Sequence, residues 1–295
     1  MNVRSTTPED LEAIAELLAA DETELLGRPS RISVGDVRDW IGHADPEQGT
    51  WLYCDGDRPV AVGWCALAPG SDAAFGVGVV RPGWKGRGLG AELVGRAEAC
   101  AAALGAGRLH QFTLGGDEAA ERLLLARGYR DVRRFYEMAI ELAAPPEVPD
   151  VPIETFREED AAAFYGAIDE AFQDHWEHHT TPFEQWWERH RSNPGYDPTL
   201  WFLIRDGDEI AAASRNEANR NGGGYVAVIG VRRPWRGKGY AKALLLHTFR
   251  EFYDRGTRRV TLGVDAENPT GATHLYERVG MHVEQENAVF EKSLP

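Results

Sequence analysis

The stretch Tyr225-Val-Ala-Val-Ile-Gly-Val-Arg-Arg-Pro-Trp-Arg-Gly-Lys-Gly-Tyr-Ala-Lys-Ala-Leu-Leu-Leu246 decides how this 295-residue chain is read. Val226, Val228, Ile229 and Val231 make an apolar, β-branched run that predicts a buried strand. Pro234 stops the strand, because proline has no N–H to give to a ladder. A glycine-rich turn follows, and helix-forming residues run from Ala241 to Phe252. The first turn of such a helix carries backbone N–H groups without helical partners, at the end of a dipole worth about half an elementary charge. Gly237 and Gly239 remove the side chains that would hold an anion away, so the turn reads as a phosphate cradle.

Working outward, the same features recur in the first half. The loop Gly86-Arg-Gly88 corresponds to Gly237-Lys-Gly239, and the hairpin turn Asp55-Gly-Asp57 to Asp206-Gly-Asp208; 237 − 86 and 206 − 55 both give 151. Gly128 and Gly280, each ending a helical run, are 152 apart. A period this long means duplicated domains rather than a solenoid. The stretch 143–152 holds four prolines in ten residues, which neither a helix interior nor a central strand tolerates. The expected division is an N-terminal domain at 1–143, a linker at 144–152 and a C-terminal domain at 153–295.

Each half reads strand, two helices, a three-strand run, helix, strand, helix and two closing strands. Thr7 and Pro8 open a helix running to about Ala20, and Ser33 opens a second reaching about His43. In the second half Asn268 is the expected N-cap and Pro269 the first residue of a helix ending at Gly280. The fold class is α/β with a mixed sheet in each of two tandem domains.

A formal net charge of −15 argues against nucleic acid or an anionic membrane as partner. No apolar run approaches a membrane span and no signal-peptide pattern opens the chain. Cys54, Cys65 and Cys100 lack metal-type spacing and read as reduced core thiols of a cytoplasmic protein.

The string Arg236-x-x-Gly239-x-Ala241 after an apolar strand resembles motif A of the GNAT acetyltransferase superfamily, Gln/Arg-x-x-Gly-x-Gly/Ala. It is neither a dinucleotide Gly-x-Gly-x-x-Gly nor a P-loop. The resemblance covers nearly the whole chain, and its tandem form is similar to the branch typified by mycothiol synthase. It implies acetyl-CoA as co-substrate, no metal, and a pyrophosphate held by Arg236, Gly237, Lys238, Gly239, Tyr240 and Ala241, beside the strand end Ile229, Gly230 and Val231. Asn268 is implied at the pantetheine arm and Tyr276 at the CoA sulfur. In the first half the corresponding positions are Val79, Val80, Lys85, Gly86, Arg87, Gly88 and Gly90, with Lys85 where the motif usually has Gln or Arg. There Leu124 and Gly116 take the tyrosine and asparagine positions, so this domain reads as degenerate, either binding CoA or vestigial, and the second as catalytic.

The implied reaction is direct attack of a primary amine on the thioester. A phenol suits protonation of the departing thiolate. A backbone N–H of Ile229–Val231, where the family splays this strand at a bulge, is implied to stabilise the oxyanion. An alkylamine with a pKa of about 10.4 is almost wholly protonated at pH 7, so a base helps. Tyr225 occupies the register of the family's glutamate; Glu217 is the preferred substitute, with Asp265 and Glu267 as alternatives.

The stretch 169–201 interleaves Trp176, Trp186, Trp187 and Trp201 with carboxylates and histidines. These residues either line a pocket for a cationic amine or pack helices onto the sheet. The cluster Asp174-His175-x-x-His178-His179 lacks a second ligand group of matching spacing, and no metal is expected. The acceptor is expected to be a small molecule. A protein or peptide amine, and a non-catalytic acyl-CoA sensor, are the alternatives, and the chain is expected to be a monomer or homodimer.

Overall fold

The computed structural model describes every residue except Pro69, Pro194, Pro269 and Pro295, so the expected helix-opening role of Pro269 lies outside the described residues. The chain forms two compact units, Met1–Phe135 with Gln285–Pro295, and Tyr136–Glu284.

The first unit contains β1 (Asn2–Arg4), α1 (Leu11–Leu26), α2 (Val34–Ile41), β2 (Thr50–Asp55), β3 (Arg58–Leu67), β4 (Ala73–Val80), α3 (Leu89–Ala103), β5 (Arg108–Leu114), α4 (Glu118–Ala126) and the start of β6 (Arg130–Glu141). Its mixed sheet runs β1-β2-β3-β4-β5 and is completed by β12 (His282–Ser293), whose Asn287–Ser293 pair antiparallel with β5. The pair β4–β5 is parallel. Helix α1 runs past the expected Ala20 to Gly27, whose φ of +65° closes it as glycine permits. Ser33 caps α2 as expected, accepting from the Asp36 N–H.

The second unit holds the rest of β6, then β7 (Glu154–Thr155), α5 (Ala161–Phe172), α6 (Phe183–Arg191), β8 (Trp201–Asp206), β9 (Glu209–Arg220), β10 (Gly223–Val231), α7 (Tyr240–Asp254), β11 (Arg259–Asp265) and α8 (Ala272–Arg278). Its sheet runs β6-β11-β10-β9-β8-β7. The duplication shows in detail. Both hairpin turns place glycine at positive φ, Gly56 at +59° and Gly207 at +63°. Both hairpins slip register at equivalent points, Tyr53/Cys54 and Ile204/Arg205.

Two sequence expectations change. The closing pair of strands in each half is one 12-residue strand, β6 or β12. The division between units falls within those strands, at Phe135/Tyr136 and Glu284/Gln285, not at the proline-rich stretch. Val151, near the end of that stretch, and Ile153, just after it, pack against a core cluster of the second unit. Local composition marks where a ladder must break, but not which sheet each half of an unbroken strand joins.

Strand β10 positions the site. It carries a bulge at Ala227, where Val226 faces Asn216 and Val228 already faces Arg215 on β9. The bulge reverses the alternation of side chains. Gly224 lies under α7, where a Cβ would come within 2.7 Å of the Phe252 ring. Gly230, six residues on, lies under α5, where a Cβ would meet that of Ala171 at 2.8 Å. Beyond the bulge it is Ile229 and Val231 that pack with Ala243 and Leu244 of α7.

Candidate active site

The loop after β10 makes a single 3-10 turn, Arg233–Trp235, pinned by the buried Trp235, whose Nε1–H donates to Asp206 at 2.7 Å. Gly237 and Gly239 have φ of +82° and +83°, a region L side chains rarely adopt, and Gly239 caps α7. No atom lies within 4 Å of where a Cβ would sit on either glycine, so the mouth of the α7 N-terminus is open. The cation Arg236 stands beside it, with Nη1 3.3 Å from Asp174 and Nη2 3.3 Å from the Ala171 carbonyl. Lys238 Nζ is 3.8 Å from Asp206. Tyr240 and Ala241 form the first turn of α7, with Tyr240 packed against the Leu244 cluster.

The parallel pairing of β10 with β11 covers Gly224 and Tyr225, while β10 runs on to Val231 against β9. The two strands therefore part after Tyr225, next to the bulge, leaving a wedge lined by the second half of β10. The bulge sits at Ala227, two residues before the expected Ile229. Tyr276, on α8, is buried at 7% exposure; burial first, then the neighbouring Tyr225, push its phenol up to about 12, so it is protonated at neutral pH.

Asn268 is not the cap of α8, which starts four residues later behind Gly271. Its Oδ1 instead accepts from the Thr270 N–H at 2.8 Å, an Asx-type turn that satisfies the side chain locally. The turn remains beside the end of β11, because the Asn268 N–H donates to the Asp265 carbonyl at 3.1 Å. Asp265 is buried, its Oδ1 accepting from the Glu267 N–H at 2.9 Å, and Glu267 is exposed.

Glu217 lies opposite Tyr225 across β9 and β10. Arg215 binds one of its oxygens, and Arg220 donates to the other at 3.0 Å. Burial would raise its pKa, but these two guanidinium groups hold it below the ordinary carboxylate range. A carboxylate so held is a weak proton acceptor, which argues against its expected role as base.

The aromatic stretch is divided by the fold. Trp201 is 3% exposed and packs among Phe156, Phe164 and Tyr196, a core role. Trp186 and Trp187 are half-buried on α6. His190, which sequence reading did not single out, stands on Trp186, ring centroids 4.5 Å apart, with Nδ1 2.7 Å from the Trp186 carbonyl. That contact fixes the proton on Nδ1 and directs the lone pair to Nε2. Burial, then Arg215, lower its pKa to about 4. The signal for His190 was its i, i+4 spacing from Trp186; the signal for the bulge was the consecutive apolar pair Val228–Ile229, which breaks alternation. Among the described residues there is no group of three or more His, Cys, Asp or Glu side chains suited to a metal ion.

The first unit keeps the loop and the parting of strands, since β4 pairs with β5 only as far as Gly76 while running on to Val80 against β3, but it loses the bulge and the tyrosine. Gly86 and Gly88 have φ of +77° and +87° with open space above them, and Gly90 lies 3.4 Å, by its projected Cβ, from Leu123. Arg87 stacks on Trp84, and Lys85 pairs with Asp21 at 2.6 Å and Glu24 at 3.2 Å. Strand β4 pairs with β3 in continuous register through Val79 and Val80, without the bulge that β10 has. Leu124 is buried in the core.

Comparison with known proteins agrees with this geometry. The profile of the acetyltransferase (GNAT) family matches residues 11–129 and again 154–281. The chain is 32% identical over 240 residues to a mycothiol acetyltransferase of Thermobispora bispora, covering 78% of each protein. It is 34% identical to a GCN5-related N-acetyltransferase from Sphaerobacter thermophilus, whose crystal structure superposes with a TM-score of 0.85 over 99% of this chain and 95% of that one. A tandem GNAT protein from the clavulanic acid biosynthesis pathway shares the fold at 16% identity, with a TM-score of 0.74 over 99% of this chain and 98% of that one. Two matches to one family profile, on two units built around the same strand–glycine loop–helix element, make this chain a tandem-domain acyltransferase of the GNAT family.

Proposed function

We propose that the second unit transfers an acetyl group from acetyl-CoA to a primary amine of a small-molecule acceptor, by direct attack, and that the first unit is a degenerate copy. The observation that carries this reading is that an open glycine cradle and a parting of parallel strands, which both units have, meet in the second unit alone with a bulge, at Ala227, and a buried phenol, Tyr276. The residues present suit the co-substrate. The first-turn N–H groups of α7, with Gly237, Gly239, Tyr240 and Ala241, would hold the pyrophosphate, with Arg236 and Lys238 as counter-charges. Ile229, Gly230 and Val231 offer strand-edge backbone to the pantetheine amides, with Asn268 at the far side of the wedge. When bound, acetyl-CoA supplies the acetyl group as a thioester.

Tyr276 is the proton donor of this reading, because its phenol is protonated at neutral pH and so has a proton to share with the departing thiolate. Glu217, held by Arg215 and Arg220, serves as a positioning charge beside Tyr225 rather than as the base. The small-molecule acceptor is supported by the relatives named mycothiol acetyltransferase. The test is thiol release from acetyl-CoA across a panel of amines. Amine-dependent release that collapses in Tyr276→Phe supports the reading. Tight acetyl-CoA binding with no turnover on any amine, small or peptidic, favours a non-catalytic acyl-CoA sensor, and no binding overturns the reading.

A further inference from the structure

In both units a carboxylate from the end of the first helix, or the turn after it, sits on the cation of the glycine loop. In the second unit Asp174, two residues beyond α5, bridges two arginines. Its Oδ1 is 2.5 Å from Arg233 Nη2, and its Oδ2 is 3.3 Å from both Arg233 Nε and Arg236 Nη1. Glu170, in the last turn of α5, binds the adjacent Arg232 at 2.6 Å. In the first unit Asp21 and Glu24, on α1, take Lys85, which is the residue equivalent to Arg236. The two arrangements differ in the exposure of the bridging carboxylate and not of the cation, Lys85 being 31% and Arg236 34% exposed. The Asp174 side chain is 34% exposed and lies among guanidinium groups that are themselves 34% and 53% exposed. The Asp21 side chain is 9% exposed.

We propose that these carboxylates stand in for the ligand's anion, so that the exposed Asp174 yields Arg233 and Arg236 to a phosphate whereas the buried Asp21 keeps Lys85, and the chain binds CoA at one site only. This rests on the CoA reading given above and extends it to stoichiometry and to a residue that sets affinity. An exposed ion pair is worth little, because water and salt screen both charges, and a polyphosphate of higher charge displaces it. A buried carboxylate separated from its cation is left uncompensated in low dielectric, which is far costlier. The intact glycine pattern of the first loop therefore does not make it a site, since its counter-charge is already supplied from within the chain.

The experiment is calorimetric titration of the full-length chain with CoA, which reads affinity and stoichiometry without turnover. The wild type is expected to bind one CoA per chain. Asp174→Asn is expected to bind it about three- to tenfold tighter, the gain shrinking as salt is raised. Asp174→Ala, which cannot hydrogen-bond the arginines, is expected to match Asp174→Asn. Lys85→Ala is expected to leave the single site unchanged. Two sites of similar affinity in the wild type, weakening in either Asp174 variant, or loss of the site in a folded Lys85→Ala would each overturn the inference while leaving the CoA reading standing. No binding by the wild type would instead overturn that reading.

Discussion

Glu217 and Tyr225 are cross-strand partners on β9 and β10, at the last residue of β10 that still pairs with β11. Beyond Tyr225 the strands part, so this pair marks the closed end of the wedge. The arginines on Glu217 and the phenol of Tyr276 beside Tyr225 make that end a polar cluster.

Tyr276→Phe keeps the buried ring and removes only the hydroxyl. Turnover is expected to fall by about 10²-fold or more, the usual scale for a lost general acid, with little change in thermal midpoint. Because the phenol is raised to about 12, the wild-type rate should show no loss near pH 10 attributable to this group. A turnover equal to wild type in Tyr276→Phe would remove the residue from the chemistry.

Glu217→Gln leaves Arg215 and Arg220 without their shared carboxylate in a partly buried setting. A loss of about 1–3 kcal/mol in unfolding free energy is expected, read from urea denaturation. The folded pKa of Glu217 is lowered, so its stabilising effect is present above the ordinary carboxylate range and is lost as pH falls through the folded value. The variant should therefore be less acid-sensitive than the wild type below about pH 4.5, the ordinary value for this group.

His190 works in the same direction at higher pH. Its folded pKa of about 4 lies below the ordinary 6.5, so the unfolded chain binds more protons between these values and stability falls as pH drops from 6.5 toward 4. The imidazole should show no titration between pH 5.5 and 8 by NMR, and His190→Gln should flatten the stability slope over that window. A resonance titrating near 6.5 would contradict the packing of this ring on Trp186.

Gly239→Ala and Gly88→Ala each force a Cβ into the left-handed region, at φ +83° and +87°. Each should cost about 1–2 kcal/mol of stability. The matched cost makes the pair a controlled comparison. CoA affinity should drop at least tenfold in Gly239→Ala, where the added methyl stands in the cradle, and hold in Gly88→Ala. Equal loss of affinity in both would place a working site in the first unit.

Much of the molecule was legible because its signals are local. The strand ending near Pro234, the turn with Gly237 and Gly239, and the helix after it each follow from one residue's own backbone preferences. The 151-residue repeat needed only matching landmarks. Asn268 shows how a local signal misleads: its side chain was free to cap α8 but closes a turn on Thr270 instead, since both choices satisfy the same oxygen. For Trp201 the sequence offered two roles, and burial chose packing.

By itself, then, the sequence determined the fold class, the duplication, the glycine cradle and the contrast between Tyr276 and Leu124, because backbone conformation and side-chain chemistry belong to individual residues. Tertiary structure decided the rest. It assigned Gln285–Pro295 to the first unit, placed the bulge at Ala227, and set two arginines on Glu217 and Asp174 on Arg233 and Arg236. Each of these depends on which distant segments share a ladder or a charge. A carboxylate's proton affinity, and an arginine's availability, are set by neighbours that adjacency in the chain does not specify.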